Sequence, residues 1–258
     1  MTPDSFSGDG HLKRFGHAVT SAQAMINDGA DIIDIGGESS RPGASRISSD
    51  EETNRVIPLI TTLTKNTRIP ISVDTYKTAV ARKALDAGAS IVNNIMGTKN
   101  NKQLLKMIRN YNATVVLMHI KGLPKTMQKM IHYDHLMKEI VNSLQKSIEN
   151  CLEIGIKSDR IIIDPGIGFG KTTEQNLTII NDLKKFRTLK KPLLIGTSRK
   201  SFIGGILKKE VSERLIGTIS SVCASIHNGA HIVRVHDVKA IYEAVVMTDA
   251  IINSNLYK

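Results

Sequence analysis

Short runs of β-branched apolar residues punctuate this chain, and each run ends on polar side chains. The clearest is Ile161-Ile-Ile163 followed by Asp164; three such residues in succession suit a strand buried on both faces, as in a parallel sheet. Pro165-Gly166 then breaks the chain out of the sheet. The same pattern predicts strands ending near residues 37, 75, 95, 120, 166, 198 and 237. Longer mixed stretches lie between them, several closed by a glycine. They predict helices at about 11–28, 50–65, 101–110, 133–154, 174–189, 212–227 and 239–253, with one more running through Asp86. Ser49 is the expected cap of the helix at 50–65.

Strand and helix alternate throughout, which argues a parallel sheet with right-handed crossovers. The expected fold is α/β, a (β/α)₈ barrel. Such a barrel begins with a strand, whereas this chain begins in a loop, Met1–Gly10, that would follow one. Chemistry in these barrels sits on the loops at the C-terminal strand ends. Those ends offer Glu38, Ser40 and Arg41, then Asp74, Asn93, His119 and Asp164, and finally Arg199, Lys200, Arg234 and His236. Carboxylates accept forked hydrogen bonds from planar amidine-like groups, and a guanidinium clamps phosphate or carboxylate in the same way. A rim carrying both fits a polar heterocycle with an anionic tail.

Arg234 and His236 alternate on one strand face, which suits a shared anion site. Taken singly, His119 and His231 read as packing or hydrogen-bonding histidines, and Met118 and Met127 as core or lid packing. Gly170-Lys171-Thr172 matches the end of a phosphate loop, but the required first glycine falls on Pro165. The dinucleotide fingerprint fails too, because its third glycine would fall on Lys171. No nucleophilic triad and no His-Glu-x-x-His motif is evident, so no covalent nucleophile is expected.

Composition narrows the class. The 258 residues are 41% hydrophobic and 23% charged, with no long apolar run and no signal-peptide pattern, so a soluble cytoplasmic protein of one domain is expected. Cys151 and Cys223 lie far apart, which argues against a disulfide framework or a zinc site. A net charge of +11 favours anionic partners, yet only 4% of residues are aromatic and none is Trp, poor material for a nucleic-acid stacking platform. An anionic small molecule fits better.

Eight ordered segments carry a resemblance. They are Thr2-Pro-Asp-Ser-Phe-Ser7, Asp34-Ile-Gly-Gly-Glu-Ser-Ser-Arg-Pro-Gly43, Ser72-Val-Asp-Thr75 and Ile91-Val-Asn-Asn-Ile95. The others are Leu117-Met-His119 with Pro124-x-Thr-Met-Gln128, Asp164-Pro-Gly-Ile-Gly-Phe-Gly-Lys171, Gly196-Thr-Ser-Arg-Lys-Ser-Phe-Ile-Gly204 and Arg234-Val-His-Asp-Val238. Together they span the chain and resemble the dihydropteroate synthase family, the pterin-binding type of (β/α)₈ TIM barrel.

The resemblance implies condensation of a dihydropterin-methyl diphosphate with 4-aminobenzoate, releasing pyrophosphate, in a homodimer that uses Mg²⁺ and is the target of sulfonamides. It implies that Asp74, Asn93, Asp164, Lys200 and Ser40 hold the pterin. It places Arg41, Arg234 and His236 on the pyrophosphate, and Ser201, Phe6 and Pro42 around the aminobenzoate. The family's first strand, with an Asn that binds Mg²⁺, would precede Met1. The expectation is therefore that Met1 is an internal methionine of a longer protein, and that residues 1–258 are an N-terminally truncated barrel with no metal ligand of their own. Ser40 stands where the family has Thr, and Asn94 where an Asp is usual. One alternative is a non-catalytic pterin- or methyltetrahydrofolate-binding barrel, which would keep residues like Asp74 and Asn93 but need neither Ser198-Arg-Lys-Ser201 nor Arg234-Val-His236; the other is an inactive fragment of a longer folate-pathway protein.

Overall fold

The computed structural model describes residues 11–39, 45–97, 101–122, 126–127 and 131–254, and of residues 11–14 the helical backbone. The expected loop 1–10, with Phe6, lies outside the described residues, as do Ser40, Arg41 and Pro42. The first half of the chain runs α1 (His11–Asn27), β1 (Ile33–Gly36), α2 (Ser49–Asn66), β2 (Ile71–Asp74), α3 (Thr78–Asp86), β3 (Ile91–Asn94), α4 (Lys102–Asn110) and β4 (Thr114–Met118). Then come α5 (Leu136–Ile154), β5 (Ile161–Asp164), α6 (Thr173–Asn181), β6 (Leu194–Ile195), α7 (Ser201–Leu207), α8 (Leu215–His227), β7 (Ile232–Val233) and α9 (Val238–Ile252).

The seven strands are those expected, all parallel and paired in chain order. An Ile163–Leu193 bridge joins β5 to the β6–β7 pair. The helices follow local signals. Ser48, not Ser49, caps α2 by accepting from the Glu51 amide, and Asp50, Glu51 and Glu52 complement the dipole of its first turn. Gly155 ends α5 in the left-handed region at φ 92°, and Thr172 with Gln175 forms a capping box on α6.

Three helical expectations need correction. The single helix expected at 174–189 is α6 followed by a 3-10 helix, Leu183–Leu189. Its buried residues Leu183, Phe186 and Leu189 recur every three positions, which places them on one face at three residues per turn. The helix expected from 133 begins at Leu136. A further helix, α7, follows the β6 tip where only a loop was expected.

Alternation along the strands sorts side chains into two compartments. Ile33, Ile35, Ile71, Val73, Val92, Val115, Leu117, Ile161 and Ile163 face the helices in one large core. The opposite face turns inward. There Ile91, Val116 and Leu194, with Ile32, Ile162 and Ile232, make an apolar floor. One step toward the C-terminal ends, Asp34, Asp74, Asn93, Asp164 and Arg234 stand above it. The barrel is thus plugged below and polar above. No helix of the described residues is long and apolar enough to cross a membrane. Both cysteines are free, and burial pushes the Cys151 thiol up to about 12.

Leu117 on the central strand is fully buried. Leu117→Ala leaves a cavity between sheet and helices and is expected to lower unfolding free energy by about 2–5 kcal/mol in urea denaturation.

Candidate active site

Buried carboxylates at strand tips need partners, and at this rim one arginine supplies two of them. Arg234 leaves the end of β7 and donates from Nε to Asp34 Oδ2 at 2.7 Å and from Nη2 to Asp74 Oδ2 at 3.2 Å. Asn93 also donates to Asp34, at 3.3 Å. Burial pushes the Asp34 carboxyl up, but Arg234 and a hydrogen bond with Ser72 outweigh it, and its pKa ends below the ordinary value. Asp74 fares differently: burial and the neighbouring Asp34 charge raise it to about 7 despite Arg234. The two carboxylates share one cation unequally, so Asp34 is the fixed anion and Asp74 the one held on the edge of protonation.

Asp164 stands across the barrel from this pair's strands, at the tip of β5. Its Oδ1 accepts from the Gly166 amide at 2.7 Å. Burial raises its pKa, while Gly166 and the positive charges of Lys200, Lys171 and Arg234 pull the other way. Lys200 reaches back over the same loop. Its Nζ donates to Ile167 O at 2.8 Å and lies 4.2 Å from the centre of the Phe169 ring. Burial lowers Lys200 to about 8. Gly166 must be glycine: its φ is +72°, and a Cβ there would fall 2.0 Å from His119 O.

At the last two tips, Ser198 Oγ accepts from the His236 amide at 3.2 Å and sits 2.9 Å from His236 Nδ1. The Ser198 hydroxyl thus holds the orientation of the imidazole through Nδ1. Burial, with Arg234 and Arg199 nearby, depresses His236 to about 4. The imidazole is therefore neutral at pH 7. Arg199 holds an uncommon left-handed φ of 57° and pairs through Nε with Asp237 Oδ2 at 3.0 Å. That pair ties the Lys200–Ser201 segment to the β7 tip. Ser201 itself is exposed in the first turn of α7, next to Lys200.

Asp74, Asn93, Asp164, Lys200 and Arg234 thus meet over the apolar floor, with His236 and Ser201 at its edge. Asn94 does not belong to the site. It makes the turn beyond β3, donating to Gly97 O at 2.6 Å and accepting from the Met96 amide at 3.0 Å. Successive strand residues face opposite ways, so an amide in place of an acid at this position leaves Asn93 untouched. Glu38 is likewise engaged in structure: its carboxylate takes Tyr76 Oη at 2.8 Å, the Ile47 amide at 3.1 Å and Lys77 Nζ at 2.6 Å. Lys77 also binds Glu52 at 2.6 Å and Ile47 O at 2.7 Å. His231 accepts from the Leu193 amide, a hydrogen-bonding histidine as expected.

Sequence reasoning missed Asp34, the anchor of Arg234. The signal was present, because in Ile33-Asp34-Ile35 the acid alternates with two core residues and so must point into the barrel. Asp34 and Asp74 are occupied by Arg234, and among the described residues no group of three or more His, Cys, Asp or Glu side chains could hold a metal ion.

Removing the shared cation leaves two buried anions. Arg234→Met is expected to destabilise the fold by about 1–3 kcal/mol at pH 8, below the value for a fully buried pair because the Arg234 side chain is 36% exposed. Asp34 owes its depressed pKa to this pair, so the stabilisation is present above the unfolded carboxylate pKa. In the variant the carboxylates can take up protons instead, and the loss measured by urea denaturation should be smaller at pH 5 than at pH 8.

Comparisons with known proteins identify the family. The family model described as pterin binding enzyme matches residues 1–236. The dihydropteroate synthase of Bacillus subtilis is 46% identical over 253 residues, covering 98% of this chain and 86% of that protein. Two solved structures are close in shape. The Yersinia pestis dihydropteroate synthase with a sulfonamide drug has a TM-score of 0.92 at 39% identity, covering 98% of this chain and 91% of that one. The Xanthomonas albilineans dihydropteroate synthase with 4-aminobenzoic acid has a TM-score of 0.90 at 37% identity, covering 97% and 89%. With its fold and its sequence both matching theirs, the chain belongs to the dihydropteroate synthases of the pterin-binding enzyme family.

Proposed function

We propose that the rim residues divide the dihydropteroate synthase reaction among themselves by charge. In that reaction a dihydropterin-methyl diphosphate is joined to 4-aminobenzoate and pyrophosphate leaves. The observation that carries the assignment is the gathering of Asp164, Asp74, Asn93, Lys200 and Arg234 over a closed apolar floor. Asp164 accepts from the donor edge of the aminopyrimidine, Asn93 contributes an amide beside it, and Lys200 covers the carbonyl side. Arg234 and the His236 ring face the diphosphate. Arg41 is assigned there by its sequence position, and Ser40, Phe6 and Pro42 keep the roles their positions imply. Ser201 borders the aminobenzoate pocket.

No protein nucleophile takes part. The C–O bond to the diphosphate breaks first, and the electron pair leaves with pyrophosphate, whose growing charge Arg234 and His236 stabilise. The methylene is left as a cation delocalised into the pterin ring. Asp74 suits that moment. A carboxyl held near 7 by burial and a like charge gains strongly when positive charge develops close by. The aminobenzoate nitrogen then attacks the methylene carbon and loses a proton. Mg²⁺, when bound, neutralises diphosphate charge; we assign it to the substrate and not to side chains described here.

Two further assignments are ours. Cytoplasmic location is proposed from composition alone. A homodimer is proposed through α8 and α9, where Ile216 is 73% exposed and Met247 and Ile251 are 61% and 62% exposed. Met247→Glu is expected to yield monomer in analytical ultracentrifugation, and an unchanged dimer would place the contact elsewhere.

Kinetics test the site. Losing hydrogen bonds to a charged group costs about 1.5–3 kcal/mol, so Asp164→Asn should lower kcat/KM for the pterin substrate about 10- to 100-fold and leave the 4-aminobenzoate KM nearly unchanged. Asp74→Asn should act mainly on kcat. An Asp74→Asn enzyme with normal turnover would sink the role given to that carboxylate.

A further inference from the structure

The loop after β5 contains a second buried ammonium that the reaction as assigned does not use. Lys171 is 3% exposed. Its Nζ lies 2.9 Å from Gly166 O, 3.0 Å from Phe169 O and 3.1 Å from His119 Nδ1. Three acceptors match the three N–H donors of an ammonium. Gly166, Gly168 and Gly170 all have positive φ, which lets the loop curl around that point. Two more carbonyls of the curl are also taken, Ile167 O by Lys200 and Gly170 O by Tyr133 Oη at 3.0 Å. Through Gly166 the curl holds Asp164, and through Phe169 it holds the ring that Lys200 covers.

We propose that Lys171 is a positioning residue for pterin recognition, the internal cation around which the loop that presents Asp164 is folded. It touches no substrate. It fixes the Gly166 amide on Asp164, sets the Phe169 wall, and adds positive charge near a carboxyl that must stay ionised to accept from the pterin. This rests on the assignment of Asp164 to the pterin.

The same arrangement makes pterin recognition sensitive to pH. Burial lowers Lys171 to about 7, with repulsion from Lys200 in the same direction and the charge of Asp164 partly opposing both. The groups facing it are His119 from the β4 tip, with Tyr133 packed on that ring from the segment before α5, Asp164 from β5, and Lys200 from the loop after β6. Lys171 is charged below its folded pKa and neutral above, so its hold on the loop weakens as pH rises through about 7.

The test uses the purified chain with two readouts, steady-state turnover and calorimetric binding of 6-hydroxymethylpterin, across about pH 6 to about pH 8.5. Lys171→Met is expected to raise the pterin KM and Kd by about 10-fold or more at pH 6, with kcat and the 4-aminobenzoate KM within about three-fold. The fall in pterin binding expected near pH 7 in the unaltered chain should be absent from its profile, leaving only the fall near pH 8 that Lys200 causes. His119→Leu, which removes one acceptor, should move in the same direction, and His119→Asn, which restores an acceptor near Nδ1, should recover most of the binding. Equal pterin Kd and unchanged pH dependence in Lys171→Met overturn the inference. Should Lys171→Met fail to fold, the His119 pair decides: Leu and Asn variants that bind pterin alike overturn it, and a difference in the stated direction supports it. Calorimetry separates the two readings, since pterin binding lost in Lys171→Met supports the inference even where turnover fails the assigned chemistry.

Discussion

Charge compensation at the barrel mouth is the constraint on which the remaining architecture depends. Asp34 and Asp74 rise from adjacent parallel strands in register one step apart, and without Arg234 they would repel across a low-dielectric interior. Arg234 comes from β7, at the far end of the strand order, so this one side chain also spans from the last described strand to the first two. It is held where it is by both carboxylates, and that leaves Asp74 short of positive charge. A site that must accept a cation during reaction benefits from having one anion incompletely neutralised beforehand.

The glycine-rich loop after β5 shows how similar sequence can serve opposite electrostatics. A phosphate loop turns its amides inward toward an anion. Here the carbonyls of Gly166, Ile167, Phe169 and Gly170 turn inward toward Lys171, Lys200 and Tyr133. The amides are spent elsewhere, Gly166 N on Asp164 and Gly168 N on Asn176. The loop is therefore a cation cradle. The mismatch at Pro165 that excluded the phosphate-loop reading in the sequence reflects this difference.

Most of the fold was legible because burial on both faces of a parallel strand writes itself into runs such as Ile161-Ile-Ile163, and because glycine closes the helices at Gly29, Gly88, Gly155 and Gly229. The break of the helix at 182 was not, since apolar spacing of three fits one turn of either helix type and a window that short cannot choose. In the site, Asp164, Asp74, Asn93 and Lys200 could be placed by position in the strand-tip pattern. The partner of Arg234 and the neutral state of His236 could not, because both depend on which side chains meet across 160 to 200 residues of chain or across a hydroxyl at Ser198.

The cluster around Lys77 carries a consequence for how this enzyme can vary. Lys77 binds Glu38, Ile47 O and Glu52, which joins the two stems of the segment between β1 and α2 to the tip of β2. Replacing Lys77 would leave Glu38 and Glu52 without their shared cation, so that lysine and the two carboxylates are constrained to vary together.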